Sequence, residues 1–576
     1  MQVWREPSFV SDWEFYERHR VAPLDPSRLR SADVSRILNE LNEADPSAMS
    51  LQEVGRSVEG RPLLLATLGG GPRTVLMWSQ MHGDEATHTA VLLDLVGLLQ
   101  RRWHAELAES ILSGCTLYVL PMLNPDGAEN GTRWNAQDVD VNRDALQLQS
   151  PEGRALRDVV NRLRPQFAFN LHNQNERTAV ARTNNVAAVS LLAPPLDEQD
   201  TETEQLVRAK KVAACLLRAV ERRRPGLTTR YDADYMPRCF GEWVQRQGTA
   251  TVLMEAGGWP DENLPSLARL HFGALVDVLC EIAAERYLEA DHQRYQRLPT
   301  SSSHRRFDLL VRNVALINGR GHPAFRADLG VNWPQRRRTA DVGVICDLGD
   351  LRITGGKTVL EGDGRTCAPG RIVRSDHFTP ARLPTPAEAA RLIERGVTTL
   401  LVEASIDQEE HVDAIINARD EVETNLPLNV GVLVRVEKRQ KAASVDRLIA
   451  AIAAGALAVV GDGAPPEWKS YLEWFETPVV APHDLPSTDS LAATIHDMAA
   501  ATRQAAVRLR LANRGAIGRN AAADLILIEC DRADATDDSR ITDVYVAGVA
   551  ALTQGCLTGV VNGRWLRRNR PQELVP

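Results

Sequence analysis

Apolar positions between residues 50 and 290 alternate between short unbroken runs and longer stretches of helical period. The runs RTVLMWSQ (73–80), CTLYVLPML (115–123), FAFNLHNQ (167–174) and GTATVLMEAGG (248–258) predict buried strands. Between and after them, ATHTAVLLDLVGLLQRRW (86–103), TETEQLVRAKKVAACLLRAVERRR (201–224) and LPSLARLHFGALVDVLCEIAAERYLEA (264–290) predict helices, so this half reads as an α/β sheet with covering helices.

The polar, Ser-rich stretch at 291–304 reads as a linker, which sets a first domain at 1–290. From 305 the pattern shortens into strands and turns, as in FDLLVRNVALINGRG and GVICDLGDLRITGGKTVLEGDG. Residues 305–384 and 513–576 are expected to form a β-sandwich-like domain around an α/β insert at 385–512, where GVTTLLVEAS, LPLNVGVLVRV and AIAAGALAVVGD restore the strand and helix alternation.

Composition narrows the choices. At 576 residues the chain is too long for one ordinary core. With 67 Lys plus Arg against 76 Asp plus Glu, its net charge of -9 repels phosphate backbones and argues against nucleic acid as a partner. The opening segment lacks the apolar core of an export signal, and no apolar run approaches the roughly 18–20 residues of a membrane span. Eight cysteines without a CxxC pair fit a reducing compartment, and the expected location is cytoplasmic.

The candidate chemistry sits where strands end. The first run leads directly into HGDEATH, which places His82 and Glu85 three residues apart at the change from strand to helix. An imidazole and a carboxylate suit zinc, whose catalytic sites normally take three protein ligands and leave a position for water. The order is not that of an HExxH helix. A third ligand is expected at His172, at the end of FAFNLH, on the carboxyl edge where open α/β sheets place their ligands.

HGDE (82–85), NPDG (124–127), R-W-N (133–135), D-x-N-R (140–143), the strand-end His172 and the strand-borne glutamate of VLMEAGG follow one another in an order that resembles the zinc carboxypeptidase family of the carboxypeptidase A type. The resemblance covers roughly residues 50–290 and implies a mixed eight-stranded sheet between helices, with a single zinc ion on His82, Glu85 and His172. It further implies that Glu255 is the general base, that Arg133 polarises the scissile carbonyl, and that Asn142 and Arg143 grip a terminal carboxylate. Asp140 takes the place of the carboxylate that orients the first zinc histidine. Tyr231 and Tyr235 are both candidates for the family's mobile substrate-binding tyrosine, and Arg238, Phe240 and Glu242 fall in the loop that shapes the specificity pocket.

The physical chemistry agrees with those roles. A guanidinium fork meets a carboxylate bidentately and a neighbouring amide adds a directional donor. A glutamate in a dry cleft is pushed toward the pKa at which it can take and return a proton. The Pro-Asp-Gly of 125–127 reads as a backbone turn.

In the C-terminal half, FDLLVRNVALINGRG, GAIGRNAAADLILIECD and VVNGRW resemble the small β domain that flanks the barrel of amidohydrolases, and GVTTLLVEAS resembles an early barrel strand. No HxH occurs, His377, His411, His483 and His496 stand isolated, and the insert is too short for a barrel of about 250 residues. This half is therefore expected to be a reduced, noncatalytic remnant.

The leading expectation is a zinc metallocarboxypeptidase that removes C-terminal residues from peptides with a metal-activated water. A zinc amidohydrolase acting on N-acyl amino acids or peptidoglycan fragments needs the same carboxylate clamp and stays open beside it. A noncatalytic binding or scaffold protein would carry a broken ligand set, whereas His82, Glu85, His172 and Glu255 are all present here.

Overall fold

The structure is a computed structural model that describes all residues except 1–12, 24, 182, 184, 233, 260–263, 302–304, 319, 321–322, 333–340, 347–352, 408, 437–444, 489–493, 512, 518–520, 530–540, 547–548, 554–555, 558–565 and 567–576. The last three linker positions, Cys530 and the run VVNGRW (560–565) lie outside the described residues. The chain divides into two compact units: residues 1–306 with 351–354, and residues 307–350 with 355–576.

The first unit is built on β1 (Met49–Arg56), β2 (Pro62–Gly69), β3 (Arg73–Ser79), β4 (Cys115–Leu120), β5 (Phe167–Asn173), β6 (Val189–Leu192), β7 (Thr228–Arg230) and β8 (Ala250–Ala256). They form one eight-stranded sheet in the order β1-β2-β4-β3-β5-β8-β6-β7. The four central strands β4, β3, β5 and β8 are mutually parallel, while β2 and β6 join this core antiparallel. The sheet is thus mixed.

Strands covered on both faces read as continuous apolar runs, and the two faces have separate cores. Val75, Met77, Phe167, Phe169 and Leu171 face one cluster with the helices Thr87–Gln100, Glu204–Arg223 and Leu264–Ala283. Leu76, Trp78 and Ala168 face the other with Leu156, Phe240 and Trp243. The helix Thr87–Gln100 is buried along its whole length, which explains why its apolar residues run through rather than forming a stripe. Parallel β3, β5 and β8 end at one edge, and the crevice outside such carboxyl ends is where open α/β sheets carry their ligands.

The second unit contributes two sheets. One nine-stranded sheet, in which β9 (Arg305–Leu316) pairs antiparallel with β10 (Phe325–Asn332), is drawn entirely from the segments flanking the insert. The other has five strands in simple sequential order, all parallel: β11 (Arg371–Ser375), β12 (Val397–Ala404), β13 (Asn429–Arg435), β14 (Ala458–Val460) and β15 (Val479–Val480). Its first strand, Arg371–Ser375, comes from the segment whose pattern reads with the flanking β portion; the short run RIVRS carries no period that distinguishes the two settings. Among the described residues no helix is long and apolar enough to cross a membrane.

Candidate metal centre and cleft

His82 lies just beyond β3, and the local chain is set by Gln80 and Gly83. Gln80 adopts a left-handed backbone (φ 51°), a conformation that costs a non-glycine residue about 1–2 kcal/mol. It is held there from three sides: its amide Nε2 donates to Gly83 O (2.8 Å), its Oε1 accepts from Thr89 Oγ1 (2.6 Å), and its carbonyl accepts from Asn124 N (3.0 Å). Glu85 N donates to His82 O at 3.1 Å, so the two side chains rise from one tight turn before the helix that begins at Thr87.

The structure brings together His82, Glu85 and His172, all buried, with one potential ligand atom from each lying within 4.8 Å of the others. Nδ1 of His82 is 2.7 Å from Glu85 Oε1, and Nδ1 of His172 is 2.7 Å from Glu85 Oε2. Asn173 N also donates to Glu85 Oε2 (3.1 Å), a contact supplied by the backbone that side-chain identities do not announce. The outward nitrogen of His82, Nε2, meets Asp140 Oδ1 at 3.1 Å; that partner fixes the ring orientation and leaves Nδ1 facing the centre. Asn142 Nδ2 lies 3.4 Å from His172 Nε2.

Charge follows the geometry. Burial opposes ionisation of Glu85, yet the two histidines hold its carboxyl well below the usual carboxylate range. Burial likewise lowers His82, but Glu85 and Asp140 outweigh it and lift the imidazole to about 9. His172 is more completely enclosed and lacks a second carboxylate, so burial wins and its pKa falls. Two neutral-capable imidazoles and an ionised carboxylate around one point make a donor set that fits zinc.

Glu255 is delivered by β8, where it stands directly opposite His172 on β5. Burial and the nearby Glu85 push its carboxyl well above the usual range. Its Oε2 is buried and has no hydrogen-bond partner among the described residues.

Arg133 reaches the same centre: its guanidinium donates to Asp140 Oδ2 through Nε (3.0 Å) and brings Nη1 to 3.1 Å from His82 Nδ1. The D-x-N-R segment is a single helical turn, Val141–Arg143, whose Asp140 caps it by accepting from Asn142 N at 2.9 Å. Asn142 Oδ1 accepts from Phe240 N (3.1 Å), tying this turn to the first residue of the helix Phe240–Arg246, so Phe240 and Glu242 stand on a helix where a loop is expected. Arg143 Nη1 donates to Asn142 O (3.0 Å) and lies 3.1 Å from Sγ of Cys239, which caps that helix and carries no sequence signal of its own.

The two tyrosines separate. Tyr231 feels burial first and then the carboxylates of Glu255 and Glu85, which together push its phenol up to about 12. Tyr235 instead accepts from Arg246 Nη1 at 3.3 Å. Glu242 is buried in the helix Phe240–Arg246, where desolvation lifts its carboxyl to about 7. NPDG, expected as a turn, opens a short helix, Pro125–Asn130: Asn124 caps it by accepting from Gly127 N (2.9 Å), and Pro125 supplies the preset first turn. Cys115, Cys215, Cys239, Cys280 and Cys367 are buried and free.

A buried His-Glu-His centre, with Arg133 at its rim and beside it a glutamate whose Oε2 has no hydrogen-bond partner among the described residues, is a metal-dependent hydrolytic type of site. Residues 34–190 match the zinc carboxypeptidase family, so the chain carries a domain of that family in its N-terminal half, and the family uses one zinc ion. The matched range contains His82, Glu85 and His172 and ends before Tyr231 and Glu255.

Among curated proteins, the chain is 27% identical over 157 residues to carboxypeptidase SOL1 of Arabidopsis thaliana, covering 24% of this chain and 32% of that protein. It is 33% identical over 135 residues to carboxypeptidase E of Caenorhabditis elegans, covering 20% and 28%. The chain thus spans about a third or less of the length of these relatives. Among solved structures, a metallo-carboxypeptidase from Burkholderia cenocepacia aligns with a TM-score of 0.35 at 20% identity, covering 44% of this chain and 69% of that one.

Proposed function

We propose that the chain is a zinc metallocarboxypeptidase that hydrolyses the last peptide bond of substrates with a free C-terminal carboxylate. The observation that carries this reading is the convergence of His82, Glu85 and His172 at the carboxyl edge of the sheet, with Glu255 as the register partner of His172.

His82, Glu85 and His172 would hold the zinc ion, which supplies a Lewis acid for the scissile carbonyl and acidifies a water. Glu255, raised in pKa by burial and by Glu85, takes a proton from the attacking water and passes it to the departing nitrogen. Arg133, already aimed at the centre from the rim, stabilises negative charge on the carbonyl oxygen. Asn142 and Arg143, fixed by the Asp140 cap and by Phe240 N at the start of its helix, hold the substrate carboxylate and so limit cleavage to the chain end. Tyr231, whose phenol feels the carboxylates of Glu255 and Glu85, would be the tyrosine that closes over the substrate.

A product-resolved assay on matched free-acid, C-terminally amidated and N-acyl amino acid substrates tests the proposal. Stepwise release of single residues from the free acids, absent with a chelator and restored by zinc, is expected. Internal cleavage, or turnover of acyl amino acids alone, would replace it with a different hydrolase.

A further inference from the structure

Within the second unit, four arginines surround one cavity. Arg320, Arg503, Arg510 and Arg514 line a space of about 380 Å³, and among the described residues no acidic side chain lines it. We propose that this cavity is a binding site for a small oligoanion, a molecule presenting two or more phosphate or carboxylate groups. The proposal is independent of the peptidase reading.

The site is assembled by local rules. Arg503 lies on the helix Ile495–Arg508, and the chain then returns against that helix through Gly515. Gly515 has φ +74°, and a Cβ there would sit 2.6 Å from Ala506 Cβ and 2.9 Å from Thr502 O, so only glycine lets the return segment lie this close. That approach brings Arg510 and Arg514 to the same space as Arg503. Arg320 arrives from a different part of the chain: Ile517 N donates to Asn318 O (3.1 Å), and Asn318 Oδ1 accepts from Arg320 N (2.8 Å).

Charge accounting leaves an excess. Arg514 is paired with the buried Asp524. Arg510 donates to Glu476 O (3.1 Å) and has the exposed Glu476 carboxylate at 3.9 Å, the kind of ion pair that contributes little. Arg320 and Arg503 form no ion pair among the described residues. A basic residue near a helix C-terminus complements the helix dipole, which accounts for one arginine on this helix but not for Arg320 brought in from a separate segment. Like charges gathered in a concave space repel one another until an anion enters, and guanidinium forks match phosphate and carboxylate oxygens in pairs. The volume falls within the range of small-molecule pockets.

Isothermal titration of the full, zinc-loaded chain with inorganic pyrophosphate and, separately, with citrate tests this. The expected result is saturable binding of at least one of them at one site per chain, weakening as salt rises; the stronger of the two identifies phosphate or carboxylate as the preferred group. The double variant Arg320→Ala/Arg503→Ala should lower that affinity at least tenfold while peptidase turnover and thermal midpoint stay unchanged. Arg503→Gln, which keeps a polar side chain on the helix, should give a smaller loss in the same direction and serves if the double variant fails to fold. Saturable binding that survives these substitutions belongs to another site, the metal centre included, and overturns the proposal, as does an absence of saturable binding by both anions.

Discussion

His172 and Glu255 are register partners on adjacent parallel strands, β5 and β8, so one sheet edge presents an imidazole of the candidate metal centre beside a buried carboxyl with an oxygen unpartnered among the described residues. The carboxyl does not share in the hydrogen bonds that join His82, Glu85 and His172. Glu255→Gln is therefore expected to keep one zinc per chain while turnover falls by roughly 10²–10⁴-fold, the usual contribution of a positioned general base. Parallel metal analysis and initial-rate measurements check this; near-wild-type turnover would remove Glu255 from its role.

The rim arginine should affect binding more than chemistry. Arg143 is held by Asn142 O and Cys239 Sγ rather than by a carboxylate, which leaves its charge available to a substrate. Arg143→Ala is expected to raise KM for free-acid peptides by about 10–100-fold, the cost of a lost charge-assisted pair, with a smaller change in kcat. Arg143→Lys should recover part of the loss. A uniform fall in kcat with unchanged KM would argue against a carboxylate clamp.

Backbone packing behind the metal ligands gives a third test. A Cβ on Gly83 would fall 2.0 Å from the carbonyl carbon of Gly127, a contact with backbone that no rotamer change relieves. Gly83→Ala should displace the His82–Glu85 turn, lowering zinc affinity and thermal midpoint together. Zinc titration and a melting curve read both effects, and wild-type zinc affinity in this variant would show that the HGDE and NPDG segments are not mechanically linked.

The ordered motifs made much of this centre legible because His82 and Glu85 follow directly on one strand and His172 stands at the end of another, and strand ends are visible as apolar runs stopping at a polar residue. The structure adds what pattern cannot carry. Gln80 holds a left-handed conformation beside His82, yet nothing in its residue type marks that conformation. The choice between Tyr231 and Tyr235 depends on which phenol lies in the field of Glu255 and Glu85, a tertiary relationship. NPDG was readable as a turn but not as the start of a helix, because an Asn cap followed by Pro opens both. In the second half, Arg371–Ser375 joins a parallel sheet through long-range pairing that a five-residue run does not encode.

Away from the site, Asp94 supplies a pH prediction. Burial pushes its carboxyl from the ordinary 3.8 up to about 6, although Val21 N, Ala22 N and Tyr16 Oη–H all donate to it. Because the folded value exceeds the unfolded one, there is no penalty below about pH 4, and stability is lost as pH rises through about 6, by on the order of 3 kcal/mol. Asn at this position keeps an oxygen for the two backbone donors and turns an N–H toward Tyr16. Asp94→Asn should match the wild type in denaturant unfolding near pH 4 and exceed it near pH 7; equal stability at both values would refute the assignment.

The most direct test of the whole account is zinc stoichiometry measured by elemental analysis on dialysed protein, together with zinc-dependent thermal stabilisation. The wild type is expected to hold one zinc per chain and to melt higher when loaded, while His82→Ala, Glu85→Ala and His172→Ala each lose both properties. A wild-type chain that returns from saturating zinc without metal, or a His172→Ala variant that retains a full equivalent, would contradict the three-residue centre on which the hydrolase reading stands.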